Sequence, residues 1–212
     1  MTFERPRAIL FDYGNVLVGP LDRDAFTASQ DTMALDYGFE NGQALWNHIY
    51  ISEAWEQAKH GRITYEALWI DRLSLLGIHT DAGRTAFKRR LFSHWAVFPQ
   101  MRKILADLQG RGYQLGVLSN SARQEFRRYL EQRRGFVNLF DVVISSADVG
   151  YAKPEEEIYR FALEQLGLPP EATLFIDDLP RNTLAAEQIG IATIVFTTPP
   201  DLVEELNRRS IL

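Results

Sequence analysis

Along the 212-residue chain the apolar positions fall into two patterns, and their alternation predicts the architecture. Five short runs are rich in aliphatic or β-branched residues: Ala8–Phe11, Gln114–Leu118, Val142–Ser145, Thr173–Ile176 and Thr193–Phe196. Each is too short for a helix and is bounded by Gly, Asp, Asn or Pro, so each predicts a buried strand. Between the later runs the apolar residues recur at helical spacing. Met101-Ile104-Leu105-Leu108 stops at Gly110 and Gly112, Ile158-Phe161-Ala162-Leu166 stops at Gly167, and Leu184-Ala185-Ile189 precedes Gly190. Strands that are apolar throughout, alternating with helices, predict a parallel sheet covered on both faces. The expected fold class is α/β with a Rossmann-like core.

One stretch breaks the alternation. From about Gly19 to Val97 no strand pattern stands out, and helices are predicted around Arg23–Tyr37, Gly42–Lys59, Tyr65–Leu76 and Ala82–His94. A parallel crossover needs only one helix and two loops, so this stretch predicts a helical cap domain inserted after the first strand. The expected division is a discontinuous core of residues 1–18 and 98–212 and a cap of residues 19–97, with Pro20 and Pro99 at the hinges. Such an insertion would lie over the carboxyl edge of the sheet as a lid.

Composition narrows the function classes. With 46% hydrophobic and 24% charged residues the chain can bury a sizeable core. A net charge of -5 and a pI near 5.4 argue against a surface that coats nucleic acid. An acidic enzyme acting on an anion must concentrate positive charge locally, through a metal ion or a few cations. The absence of cysteine excludes disulfides and thiolate metal sites. No stretch is long and apolar enough to span a bilayer, and Met1 to Pro6 lacks the apolar run of a secretory signal. A cytoplasmic location, with neither a nucleic-acid nor a membrane partner, is therefore expected. The oligomeric state is left open.

The polar residues at the strand ends carry the chemistry. Asp12 follows the first run and leads into Tyr13-Gly14-Asn15; Ser119-Asn120 follows the second; Asp177-Asp178 follows the fourth; Lys153-Pro154 lies in a loop between them. Open α/β sheets bind ligands at the carboxyl ends of their strands. Two acids for a divalent cation, a hydroxyl and an amide for anion oxygens, and one fixed cation describe a phosphate-handling site.

In this order the motifs resemble those of the haloacid dehalogenase superfamily of phosphohydrolases, across nearly the whole sequence. Phe11-Asp12-Tyr13-Gly14-Asn15-Val16-Leu17 is similar to its first motif, Leu118-Ser119-Asn120 to the second, Lys153-Pro154 to the third, and Phe175-Ile176-Asp177-Asp178 with Asn182 to the fourth. The variant is most similar to small bacterial phosphatases acting on α-D-glucose 1-phosphate and to the amino-terminal phosphatase domain of soluble epoxide hydrolases. The resemblance implies Mg²⁺-dependent hydrolysis of a small phosphomonoester, foremost a sugar phosphate, through an aspartyl-phosphate on Asp12. It implies Mg²⁺ ligation by Asp12, Asp178 and the Gly14 carbonyl, with Asp177, Asn182 and Asn15 behind them. Ser119, Asn120 and Lys153 would hold the phosphate, and Lys153 would stabilise charge during transfer.

One departure leaves a gap. Many phosphatases of this superfamily carry a general-acid Asp where this chain has Gly14; Asp22, Asp24, His60 or metal-bound water are the candidates to replace it. The same gap admits a metal-independent haloacid dehalogenase, although the Asp177-Asp178 pair favours phosphate. It also admits a phosphate-ligand-binding regulatory protein without turnover. Elsewhere Asp177-Asp178 and Ser119-Asn120 also read as helix caps. Trp46, Trp55, Trp69 and Trp95 read foremost as the insertion's own core rather than as a sugar-stacking wall. The basic runs Lys88-Arg89-Arg90, Arg127-Arg128 and Arg133-Arg134 read as solvated faces. His60 and Arg62, in a predicted turn of the insertion, are candidates for touching substrate.

Overall fold

The structure is a computed structural model that describes residues 5–133, 135 and 137–212. The chain start and the Arg133-Arg134 pair, read above as a leaderless terminus and a charged face, lie outside the described residues and side chains. The first apolar run forms β1 (Ala8–Phe11), buried at every position. After a turn the chain passes through β2 (Val18–Pro20) into five helices: α1 (Arg23–Asp36), α2 (Gly42–Tyr50), α3 (Glu53–Lys59), α4 (Tyr65–Ser74) and α5 (Asp81–Leu91). It returns through β3 (Trp95–Val97), which pairs antiparallel with β2. Helices and strands then alternate. In order come α6 (Pro99–Gly110), β4 (Gln114–Ser119), α7 (Phe126–Arg133), β5 (Val142–Ser145), the short α8 (Ser146–Val149), α9 (Glu156–Leu166), β6 (Thr173–Asp177), α10 (Pro180–Gln188), β7 (Ala192–Val195) and α11 (Pro199–Arg208).

The predicted α/β class holds: five parallel strands pair in the order β5-β4-β1-β6-β7, with β1 at the centre. The chain first moves outward on one side of β1, then crosses to the other, so the switch point lies beside β1. Register aligns the strand ends. Phe11 lies opposite Val117 on one side and Ile176 on the other, which sets Asp12, Ser119 and Asp177 along one edge. The two faces of β1 divide as the strand pleat requires. Ile9 and Phe11 pack with Met101, Leu105, Leu130 and Leu202 from α6, α7 and α11, whereas Ala8 and Leu10 pack with Ile158 and Ala186 from α9 and α10.

The insertion has a separate core in which Met33, Leu45, Ile49, Trp69 and Phe87 pack together. Its helices begin at Asp22, Asn41, Ser52, Thr64 and Thr80, whose side chains each accept an N–H bond from the third residue onward. Two expectations fail here. The single helix expected over Gly42–Lys59 is two, because Ser52 turns extended and its hydroxyl accepts the Trp55 N–H at 3.1 Å. The ribbon of β2 and β3 was not foreseen, since three-residue strands are too short to display a period. Helix α11 had no counterpart in the predicted pattern either. Among the described residues no helix is long and apolar enough to cross a membrane.

Candidate active site

Asp12 is still tied into the sheet: its N–H donates to the Ile176 carbonyl at 2.8 Å. Its side chain leaves the edge beside Asp177 and Asp178, and one oxygen of each acid lies within 4.8 Å of the others. The Lys153 ammonium sits among them, 2.8 Å from Asp12 Oδ1 and 2.6 Å from Asp177 Oδ2. Lys153 is only 2% exposed. Asn182 and Leu179 also fix Asp177: Asn182 Nδ2 donates to its two oxygens at 2.9 and 3.1 Å, and the Leu179 N–H donates to Oδ1 at 2.9 Å. The cap position of α10 is Leu179, so neither acid is the cap residue itself.

Other motif residues brace this cluster. Asn15 adopts a left-handed φ of 56°, which Asn tolerates in turns, and its Nδ2 donates to Asp178 Oδ2 at 3.1 Å. Asn120 closes a two-point clamp on the Lys153 backbone, donating from Nδ2 to the carbonyl at 2.7 Å and accepting the N–H at 2.8 Å. Its side chain thus positions Lys153. Ser119 is buried at the end of β4, and Asn182 is buried with Oδ1 lacking a partner.

Electrostatics follow from this crowding. Burial pushes the Asp12 carboxyl up to about 7, with the Asp177 and Asp178 carboxylates adding to the rise and Lys153 opposing it. Burial and Asp177 also raise Asp178, against the Asn15 hydrogen bond. Burial works against charge on Lys153, but the flanking Asp12 and Asp177 outweigh it and hold the ammonium above its ordinary value. Three acids face one ammonium, so the fully ionised cluster is short of positive charge. The three acids offer only oxygen donors, which suits a small hard cation.

The insertion roofs this edge. A cavity of about 920 Å³ is lined below by Asp12, Ser119, Lys153 and Asp178 and above by Trp46, Asn47, Tyr50 and Trp55. Trp69 is a core residue of the insertion as expected, but Trp46, Trp55 and Trp95 face cavities. Helical spacing does not distinguish the two roles. The candidate proton donors lie elsewhere. Asp22 caps α1, Asp24 is exposed in its first turn, and His60 Nε2 is 2.8 Å from Glu155 Oε1 at the edge of the insertion. Arg62 is exposed and lines none of these cavities. Sequence reasoning overlooked Arg123, which no motif marks. The described basic runs are engaged outside the site: Lys88 pairs with Glu66, Arg90 with Asp36, and Arg128 with Glu125.

The family model described as haloacid dehalogenase-like hydrolase matches residues 6–190. The chain belongs to that family. This hydrolase is 29% identical over 214 residues to acyl-CoA dehydrogenase family member 10 of Mus musculus, covering 94% of the chain but only 19% of that relative. It is 28% identical to a sesquiterpene phosphatase, astK, of Aspergillus oryzae, over 70% of the chain and 75% of the relative. Among solved structures, a family enzyme from Bacteroides thetaiotaomicron in complex with magnesium and inorganic phosphate superposes with a TM-score of 0.70. It is 23% identical, covers 91% of this hydrolase and 94% of its own chain, and shares the fold.

Proposed function

We propose that the chain is a Mg²⁺-dependent phosphatase that hydrolyses a small phosphomonoester through an aspartyl-phosphate on Asp12. The observation that carries this reading is the cluster of Asp12, Asp177 and Asp178 around a buried Lys153 beneath a roofed cavity. The phosphatase among the relatives points the same way. In this reading residues 1–18 and 98–212 carry the chemistry and residues 19–97 roof the site and take part in selecting the substrate. Sugar phosphates are the first class to assay, and the cytoplasm is the assigned place of action.

Asp12, Asp178 and the Gly14 carbonyl would hold the ion, whose charge would offset the repulsion between carboxylate and phosphate. Lys153 fixes one Asp12 oxygen, and Asp177 with Asn182 keeps Lys153 and the edge in place. Ser119 offers its hydroxyl to the phosphate oxygens. Asp12 attacks phosphorus as the ester oxygen departs; water then attacks the same phosphorus, freeing inorganic phosphate and regenerating the carboxylate. With Gly14 in place of an acid and with Asp22 and His60 engaged elsewhere, the departing oxygen takes its proton from solvent. Esters of acidic alcohols are therefore the better substrates.

The test is p-nitrophenyl phosphate and sugar-phosphate turnover with Mg²⁺ or chelator, read against Asp12→Asn. Chloride release from haloacids in chelator would replace this reading with the dehalogenase one. Ion and phosphate binding without turnover would replace it with a regulatory one.

A further inference from the structure

A second cavity, of about 290 Å³, opens from Gly14, Ser119 and Asn120. Its walls are mostly rings: Tyr50, Trp55 and Tyr65 of the insertion, Trp95 of β3, and Phe126 and Tyr129 of α7. A side chain built at Gly14 would point toward Trp95, whose ring lies 4.0 Å from the added Cβ. At the position where a general acid is missing, the molecule therefore presents an indole. Ring faces match a flat apolar body better than a polyol, each hydroxyl of which needs a polar partner.

Among the described residues Arg123 is the single charged one lining this cavity. Its guanidinium lies 3.7 Å from the Tyr65 ring centre and 4.3 Å from that of Tyr129, so a ring of the insertion and a ring of the core both contact it. Among the described residues no carboxylate pairs with it. Both contacts are with rings, and among the described residues the guanidinium makes no hydrogen bond, so its N–H groups remain available to a carboxylate. The supporting loop is fixed: the Arg123 N–H donates to Ser121 Oγ at 3.1 Å, and its carbonyl accepts from Ser145 Oγ at 3.1 Å. Asp148 accepts the N–H bonds of Glu125 and Phe126. The cation is thus in place before a ligand arrives.

We infer that this cavity seats the leaving group of the phosphomonoester, a flat apolar body carrying an acidic group that the Arg123 guanidinium receives. The inference rests on the phosphatase reading of the neighbouring carboxylate cluster.

Tryptophan fluorescence titrations of the Mg²⁺-loaded protein with phenylphosphonate and with its meta- and para-carboxy derivatives test it. One carboxylated isomer should bind about tenfold more tightly than phenylphosphonate. Arg123→Gln should reduce that gap to near unity, and Arg123→Lys should restore part of it, which separates lost recognition from lost folding. Equal affinities in the unmutated protein, or a gap that survives Arg123→Gln, overturn the inference. In parallel, kcat/KM for the carboxyphenyl phosphate should exceed that for a hexose phosphate; the reverse order overturns it. Turnover of p-nitrophenyl phosphate without a binding gap removes the inference and leaves the phosphatase reading. A gap without turnover of any ester removes that reading and retains the ligand assignment.

Discussion

The floor and the roof of the cleft are built differently. On the floor, Asp12, Asp177 and Lys153 emerge from strand ends or a clamped loop, and each is tied to backbone or to another charge. On the roof, rings hold one another: Trp46 stacks on Trp95 with centres 6.0 Å apart, and Tyr50 meets Trp55 edge-on at 4.8 Å. The first arrangement fixes atoms through directional bonds at the cost of burying like charges. The second shapes a volume without committing hydrogen bonds. Floor residues should therefore govern rate and the response to pH, and the ring-lined roof, together with Arg123 beside it, should govern which ester is accepted.

The hardest test of that division is Asp12→Asn. Removing the nucleophile should lower kcat by about three orders of magnitude or more, since groups acting as a unit are lost together. The fold should survive, because the substitution relieves repulsion from Asp177 and Asp178; near-ultraviolet circular dichroism checks this. Next comes Lys153→Met, which leaves Asp12 and Asp177 without their shared ammonium. A loss of about 3–5 kcal/mol is expected for an uncompensated buried charge, read from urea unfolding.

A smaller effect concerns pH. The folded Asp12 carboxyl lies at about 7 against 3.8 for an ordinary one, so the folded chain holds the extra proton between those values. Stability of the metal-free protein should accordingly fall as pH rises through that window. Saturating Mg²⁺ should flatten the slope, and Asp12→Asn should reduce it; a slope that rises with pH would contradict the assignment. The smallest effect lies where roof meets floor. Gly61 has a φ of +69°, and a Cβ there would lie 2.3 Å from the Ala147 carbonyl oxygen. Gly61→Ala should cost about 1 kcal/mol or more and loosen the insertion, seen as a lower unfolding midpoint and a raised KM.

Sequence legibility follows the same division. Buried parallel strands are continuously apolar, and the residue after each run is forced to one edge, so Ser119, Asp177 and Asp12 could be placed together before any coordinates. The ties among them were less visible. Nothing in Ser119-Asn120 says that the amide will grip Lys153 from 33 residues away. The roof was less legible still. Trp46, Trp55 and Trp69 share helical contexts, yet only Trp69 is fully buried in the insertion's core, while Trp46 packs against it and also faces the cavity, because tertiary packing decides which stripe faces inward. Ser52 looked like one polar residue within a helical pattern and proved to be a cap. Arg123 belongs to no motif; its place depends on rings from two parts of the chain.

The central claim is that Asp12 itself takes the phosphoryl group. Acid-quenching the Mg²⁺-loaded protein during p-nitrophenyl phosphate turnover and mapping its peptides by mass spectrometry tests it directly. The peptide bearing Asp12 should carry the mass of one phosphoryl group, transiently and only while substrate remains. Release of phosphate with that peptide unmodified throughout, or with the label on another residue, would contradict it.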